Sequence, residues 1–517
     1  MRPTTRRAHS ARAAPVAPGG AIVFRVTSTD SLPAGTFSMR SPYGRRAAAL
    51  SVAAAVGGFL FGFDSSVING AVSSIESTYT KDALLTGFVV AVALLGCALG
   101  AIIAGALSDR WGRLSVMLLG SAMFLASSIG SALTFSVPDL IVWRVLGGIG
   151  IGIASVVAPA YIAEVAPRQV RGSLASLQQL AITIGIFAAL LSNAVLAGAA
   201  GSADNVLWWG LEAWRWMFLI GVAPAAVYGI LALTMPESPR FLLAKGRNDE
   251  ARAIFERLVP AADLDKTTNE LISSIEDDRK NRSASLRGKA LGLQPVVWIG
   301  ILLSAFQQLV GINVIFYSST TLWRAVGFDE SNSLLISVFT SVTNVLVTLV
   351  AMFLVDRVGR KPILMTGSLM MTLSLGAMAL AFAFAQTVDG EVTLPGAWGP
   401  IALVAANLFV VGFGASWGPI VWVLLGEIFP SRIRGKALGV AASAQWIANF
   451  LVSWTFPQLA AFSLPFTYGM YAVFAALSFV FVLWKIPETK GMALEQSETL
   501  FVPKPKRERP NQQNRKL

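Results

Sequence analysis

Twelve apolar runs, each close to the length one helix needs to cross a bilayer, constrain this chain more than any other feature. They cover about residues 46–70, 83–107, 115–135, 139–161, 173–199 and 214–235, then 295–319, 331–355, 362–386, 399–424, 437–460 and 466–486. Inside hydrocarbon every backbone polar group must be paired within the protein, so such runs read as helices. Each run is rich in Gly, Ala and Ser, which lets helix backbones approach closely. Of the 517 residues 54% are hydrophobic and only 14% are charged, against about 25% charged in an average soluble chain. The expected fold class is an all-α polytopic membrane protein with twelve transmembrane helices.

The connecting loops alternate in charge. Arg110 with Arg113, Arg168 with Arg171, Arg357 with Arg360 and Lys361, and Arg432 with Arg434 and Lys436 form one set. The opposite loops hold little beyond Lys81, Arg215 and Arg324, with Glu76, Asp204, Asp329 and Asp389; Glu212 and Arg215, at the mouth of the sixth run, read as surface charges. The positive-inside rule makes the basic set cytoplasmic and places both termini inside, in a multi-pass protein of the cell membrane. The net charge of +12 is spread between apolar runs, so the expected partner is the lipid bilayer and not nucleic acid. The single cysteine, Cys97, excludes an internal disulfide and a cysteine-based metal cluster. The single histidine, His9, lies in the N-terminal tail, which excludes a Ser-His-Asp triad or a His-ligated metal in the membrane body. No Walker loop is present, so a primary pump is not expected either. No enzyme activity, metal or cofactor is expected.

Residues 1–45 are rich in Arg, Ala, Ser and Pro and read as a disordered tail without a cleaved signal. Met39, followed by Arg40, Arg45 and Arg46, offers an alternative start. Between the sixth and seventh runs, 237–294 reads as a cytoplasmic linker with helical spacing in Asn248–Leu258 and 265–282. Residues 488–517 read as a cytoplasmic C-terminal tail.

Three motifs repeat about 250 positions apart. Asp109-Arg110-Trp111-Gly112-Arg113 returns as Asp356-Arg357-Val358-Gly359-Arg360. Glu164-Val165-Ala166-Pro167 with Arg171-Gly172 returns as Glu427-Ile428-Phe429-Pro430 with Arg434-Gly435. Pro236-Glu237-Ser238 returns as Pro487-Glu488-Thr489. Two parallel six-helix halves, 46–236 and 295–487, follow, with a site on the pseudo-two-fold axis and alternating access by rocking. The arginines of the first motif can meet Glu164 or Glu427, forming a cytoplasmic gate whose pairs hold when that side closes and part when it opens. Asp109, Arg110, Arg113, Glu164 and Arg171, with Asp356, Arg357, Arg360, Glu427 and Arg434, are its expected members.

The seventh run carries Gln307, Gln308, Asn313 and Tyr317 in otherwise apolar sequence. At helical spacing Gln308, Asn313 and Tyr317 share one broad face. Buried amides are costly unless they face protein or water. They suit a neutral polyhydroxyl ligand, or equally hydrogen bonds to neighbouring helices; residue types alone leave both readings open. Asp64 in the first run stands where the repeat places Asn313, and Arg144 in the fourth is its natural partner. A buried carboxylate is costly when charged, and a cation offsets that cost. Such a pair can couple proton uptake to a conformational change, or fix two helices statically.

These motifs, with 57–64 (Gly-Gly-Phe-Leu-Phe-Gly-Phe-Asp), Arg144 with Gly147-Gly148-Ile149-Gly150, Gln307-Gln308 with Gly311-Ile312-Asn313, and the Pro239-Arg240 and Lys490-Gly491 extensions, resemble the sugar porter branch of the major facilitator superfamily over 46–491. Ser416-Trp417-Gly418-Pro419 and 444–449 resemble its bacterial xylose/hexose–proton symporters. The resemblance implies a functional monomer importing a monosaccharide with a proton. It implies a sugar site of Gln179, Gln307, Gln308, Asn313, Tyr317, Asn344, Gly418, Trp422, Gln445 and Trp446, with Phe61 as a further ring contact, and a proton-coupling pair of Asp64 and Arg144. Amides donate and accept at once, matching sugar hydroxyls either way, and Trp offers a ring face and an N–H. Xylose carriers of this branch have a second Gln on the fifth run where this chain has Ile186, which leaves a hexose at least as well suited. A passive facilitator, a myo-inositol or polyol carrier, and a non-transporting sugar sensor stay open.

Overall fold

The computed structural model describes residues 41–79, 82–166, 171–281, 285–324, 327–388, 391–430 and 433–490. Residues 1–40 and 491–517 of the expected tails, Lys81, Arg168, Asp389 and Arg432, and the side chains of Arg171 and Asp356, lie outside the described residues.

Eleven helical segments among the described residues are long and apolar enough to cross a membrane. In chain order the first six spans are Pro42–Thr78, Ala83–Trp111, Arg113–Ala132, Val137–Val165, Arg171–Ala200 and Ala213–Thr234. The seventh to tenth are Pro295–Tyr317, Glu330–Val358, Arg360–Ala383 and Trp398–Ile428, and the twelfth is Leu464–Lys485. The eleventh expected span is Arg434–Phe462, 29 residues long. Gln445, Asn449 and Ser453 sit buried in its middle and lower its hydropathy. Side-chain caps start several spans: Ser41 accepts from Gly44 N at 3.0 Å and Ser136 from Asp139 N at 3.4 Å.

Three spans are interrupted. The sixth breaks at Gly221, the tenth between Gly414 and Trp417, and the seventh between Leu309 and Ile312. Gly311 there has φ +80°, which a side chain would strain. The expected continuous face from Gln308 to Tyr317 is therefore replaced by a bend. At the matching place in the first half, Gly62 stays helical and serves close packing: a Cβ on it would lie 2.0 Å from the Ile182 carbonyl oxygen.

The linker forms helices Pro239–Ala244, Asn248–Leu258 and Leu264–Asn281. Asn248–Leu258 buries Ala251, Phe255 and Leu258 on one face. Hairpins pair Val206–Trp208 with Leu211–Glu212 and Gln386–Val388 with Glu391–Thr393. Between the halves, the second span packs on the eleventh and the fifth on the eighth.

Candidate substrate and proton site

Asp64 and Arg144 form the buried charge pair that the spacing implied. Arg144 Nη1 donates to Asp64 Oδ1 at 2.9 Å, and the residues are 1% and 5% exposed. One N–O contact joins them, not a two-bond fork. Arg144 Nε is buried without a partner among the described residues, and the guanidinium stands 5.9 Å over the Phe218 ring. The pair borders a cavity of about 10 Å³, room for about one water. Phe61, Ser65, Cys97 and Tyr317 line it too, so the first, second, fourth and seventh spans meet around the carboxylate.

The amides of the seventh span join in a row. Asn313 Nδ2 donates to Gln308 Oε1 at 2.6 Å, Gln308 Nε2 to Gln307 Oε1 at 3.4 Å, and Gln307 Nε2 to the carbonyls of Trp417 and Gly418 at 2.8 and 3.3 Å. The row bridges the break in the seventh span and reaches two carbonyls in the first turn of the helix that follows the break in the tenth. Phe61 meets Trp446 edge-on at 5.2 Å across the halves. Gln445 Oε1 is buried without a donor among the described residues, an acceptor suited to a hydroxyl. Asn344 is buried and packs against Gly414. Gln179 is half-buried and Trp422 is exposed; no described contact ties these two to the amide row. Trp417, which the sequence reading quoted in a motif but gave no role, is fully buried and donates Nε1 to Ser368 Oγ at 2.9 Å, a packing role.

The halves close on each other at the face opposite the basic loops. There Thr320 donates its N–H to Asn69 Oδ1 at 3.1 Å and its hydroxyl to the Asn69 carbonyl at 2.8 Å. Glu330 accepts from Ala203 N at 3.0 Å and Ser202 Oγ at 3.2 Å, and Trp454 Nε1 donates to the Leu84 carbonyl at 3.2 Å. Residues 62–72 of the first span are all buried, as are 314–320 of the seventh, whereas both spans alternate between buried and open toward the basic face. Arg215, expected as a surface charge, is part of this end: it bonds Glu212, the carbonyls of Ala132 and Thr134, and Tyr79.

On the basic face the two halves carry the same network. Arg113 donates Nε and Nη2 to Glu164 at 3.1 and 2.9 Å, and Arg360 donates Nη2 to Glu427 at 3.0 Å. Glu237 accepts from Arg113 N and Leu114 N at 3.0 and 3.4 Å, and Glu488 from Arg360 N and Lys361 N at 3.0 and 3.1 Å. Each thus takes the free N–H groups that begin the third and ninth spans. Ser238 donates to Glu164, and Thr489 to Glu427 at 2.6 Å. The sequence showed the Pro-Glu-Ser/Thr motif but not this role; its repetition was the only signal. Asp109 adds a 3.5 Å contact to Arg113, and Arg434 Nε donates to the Phe429 carbonyl at 3.2 Å. Arg110 and Arg357 are exposed. Arg113–Glu164 and Arg360–Glu427 each lie within one half, and both are formed while the halves meet at the other face. Residues 488–490 dock on the second half instead of opening the tail.

A family model described as "Sugar (and other) transporter" matches residues 50–501. The chain is 54% identical to a protein of Synechocystis named "Glucose transport protein", over 86% of this chain and 96% of that one. It is 36% identical to the "D-xylose-proton symporter" of Escherichia coli, over 89% and 96% of the two chains. A solved structure described as the "partially occluded inward open conformation" of the E. coli xylose transporter superposes with a TM-score of 0.74 at 33% identity, covering 86% of this chain and 98% of that one. With the two-half helical architecture, these matches show that the chain belongs to the sugar transporter family of the major facilitator superfamily and is a multi-pass membrane transporter, not an enzyme.

Proposed function

We propose that this chain imports a hexose of the glucose type by proton symport through alternating access, as a monomer in the cell membrane. The basic loops then face the cytoplasm, with both termini and the linker on that side, and the closed end faces outside. The two six-helix halves, 46–236 and 295–487, rock about the central site. The observation that carries the reading is the Asp64–Arg144 pair: a buried carboxylate held through a single N–O contact, beside a water-sized cavity that also reaches Tyr317. Protonation releases the carboxylate from Arg144; deprotonation restores the pair. Either change alters how the first and fourth spans meet the seventh.

The amide row, Gln445, Phe61 and Trp446 supply paired donors and acceptors and apolar ring faces for a polyol ring. Gln179, Asn344 and Trp422 complete the wall. Ile186 at the position where pentose carriers have Gln, and the identity to a glucose transport protein, favour a hexose. One charge crossing the membrane contributes about 2.3 kcal/mol per 100 mV, enough for uphill uptake.

The test is uptake of radiolabelled glucose, galactose, xylose and myo-inositol into proteoliposomes, with and without an imposed proton gradient. The wild type accumulates glucose only with the gradient, and Asp64→Asn merely equilibrates it. Equal uptake with and without the gradient, matched by the variant, makes the protein a facilitator. Accumulation of myo-inositol in place of glucose overturns the substrate.

A further inference from the structure

We propose that the hairpin at 206–212 is a membrane anchor: its tip lies in the headgroup layer of the leaflet opposite the basic loops, with the Trp208 and Trp209 rings against lipid. The inference needs only the membrane setting and is independent of the substrate and the coupling ion. The strands Val206–Trp208 and Leu211–Glu212 are joined by two residues, Trp209 and Gly210, at φ +53° and +77°. Two positive φ values in a two-residue loop are the type I′ pattern, which Asn-Gly or Gly-Gly fills most readily. A bulky side chain is strained there. Trp209 nevertheless takes the first place, and it is 89% exposed. Val206 and Trp208 are exposed beside it, while Leu207 between them packs on the core. An exposed apolar patch of this kind marks a surface that meets a partner or a membrane.

The sixth span shows which of the two covers it. Trp216 meets Trp208 edge-on at 5.4 Å and Trp209 at 5.2 Å, and its Nε1 donates to the Trp208 carbonyl at 3.2 Å. At helical spacing Trp216 leads on to Ala223, Val227 and Ile230, which are exposed along the span. In a membrane transporter that stripe faces acyl chains. The span has 22 residues, about 33 Å at 1.5 Å per residue, against a hydrocarbon core of about 30 Å. Trp216, in its first turn, therefore stands at the edge of the hydrocarbon, where indoles gather with their rings in lipid and their N–H groups toward water. A sugar-docking platform would instead need free hydrogen-bonding side chains beside the rings. Those present are engaged: Asn205 Nδ2 donates to the Ala200 carbonyl at 2.8 Å, Glu212 takes Arg215 at 2.6 Å, and Asp204 takes the Ser77 hydroxyl at 3.5 Å. The anchor also holds a contact between the halves. Ala213 N donates to the Asn205 carbonyl at 2.9 Å and Trp214 N to the Ala203 carbonyl at 3.0 Å, so the hairpin and the loop at 201–205 form one piece. From that loop Ser202 and Ala203 donate to Glu330 of the second half.

The experiment places one nitroxide at Val206→Cys, with buried Cys97 left in place, in vesicles of phosphatidylcholine and phosphatidylglycerol. Its collisions with oxygen, which concentrates in lipid, are compared with those of a water-soluble nickel chelate. Val227→Cys, on the lipid-facing stripe, and Glu256→Cys, on an exposed face of the linker, are the references. The oxygen-to-chelate ratio at 206 should lie closer to that at 227 than to that at 256. Trp209→Asn gives the turn the residue pair it prefers, so the hairpin keeps its fold. In that variant the ratio at 206 should fall toward that at 256, and the amides of 201–205 should exchange several-fold faster. A water-like ratio at 206 with all three tryptophans in place overturns the anchor; if added glucose then shields the label from the chelate, the hairpin is a sugar platform instead. A lipid-like ratio that Trp209→Asn leaves unchanged overturns it too, and unchanged exchange at 201–205 removes its hold on the contact between the halves.

Discussion

Gly87→Val should open the face opposite the basic loops. Gly87 begins the second span, where it packs on the eleventh. A Cβ there would lie 2.2 Å from the Trp454 carbonyl oxygen and 3.2 Å from Pro457 Cδ, while real Cβ contacts essentially never fall below 3.0 Å. The backbones must part by roughly 1 Å, an overpacking that costs about 1–3 kcal/mol. The parting also stretches the neighbouring Trp454–Leu84 hydrogen bond, 3.2 Å long. The penalty falls on the state in which this face is closed, because the contact crosses the two halves. A differential of that size moves a two-state ratio about 5–150-fold. Hydrogen exchange reads the result. Peptides covering 62–72 and 314–320, sealed in this conformation, should exchange faster by up to that factor, and peptides from the basic-face ends of the same spans more slowly. Unchanged exchange at the sealed segments in a folded variant would refute the reasoning. So would uniformly faster exchange at both ends, which marks general loosening.

Arg144→Ala leaves Asp64 buried and unpaired, so thermal unfolding in detergent should show a loss of about 3–5 kcal/mol, and Arg144→Ala with Asp64→Asn should recover most of it; a double variant no better than the single one removes the case for an unpaired charge. Glu488 lies outside the spans. Burial disfavours its charge, but the N–H groups of Lys490, Arg360, Lys361 and Thr489 outweigh that and hold its carboxyl below the ordinary value of 4.5. The stabilisation is therefore present above pH 4.5 and lost as pH falls through the lower folded value. The melting temperature of the wild type should fall more steeply below about pH 4.5 than that of Glu488→Gln; parallel curves would contradict it.

Hydropathy and the repeated motifs made the helical class and the two halves legible, because both are local patterns. The eleventh span shows the limit: the polar side chains that suit it to a binding site also dilute its apolar signal. Asp64 with Arg144 could be paired from sequence, since two opposite charges in hydrocarbon have few other partners. The amide row could be foreseen as polar but not as bent, because Gly311 reads the same whether it permits a turn or a close approach. The seal opposite the basic loops was out of reach. Asn69 and Thr320 are common residues 251 positions apart, and nothing in either neighbourhood names the other. Arg215 was misread for a related reason: the carbonyls it binds come from the ends of other helices, which composition does not reveal.

The aligned tripeptides Gly62-Phe63-Asp64 and Gly311-Ile312-Asn313 adopt different backbones, and the difference assigns mechanical parts. A span that stays helical through the membrane centre is stiff along its whole length. A span with a joint at Gly311 has two shorter segments whose mutual angle can differ without unwinding either. Repetition of a sequence thus need not repeat a backbone: one glycine that packs and one that bends are enough to make a continuous span and a jointed one from the same repeated pattern.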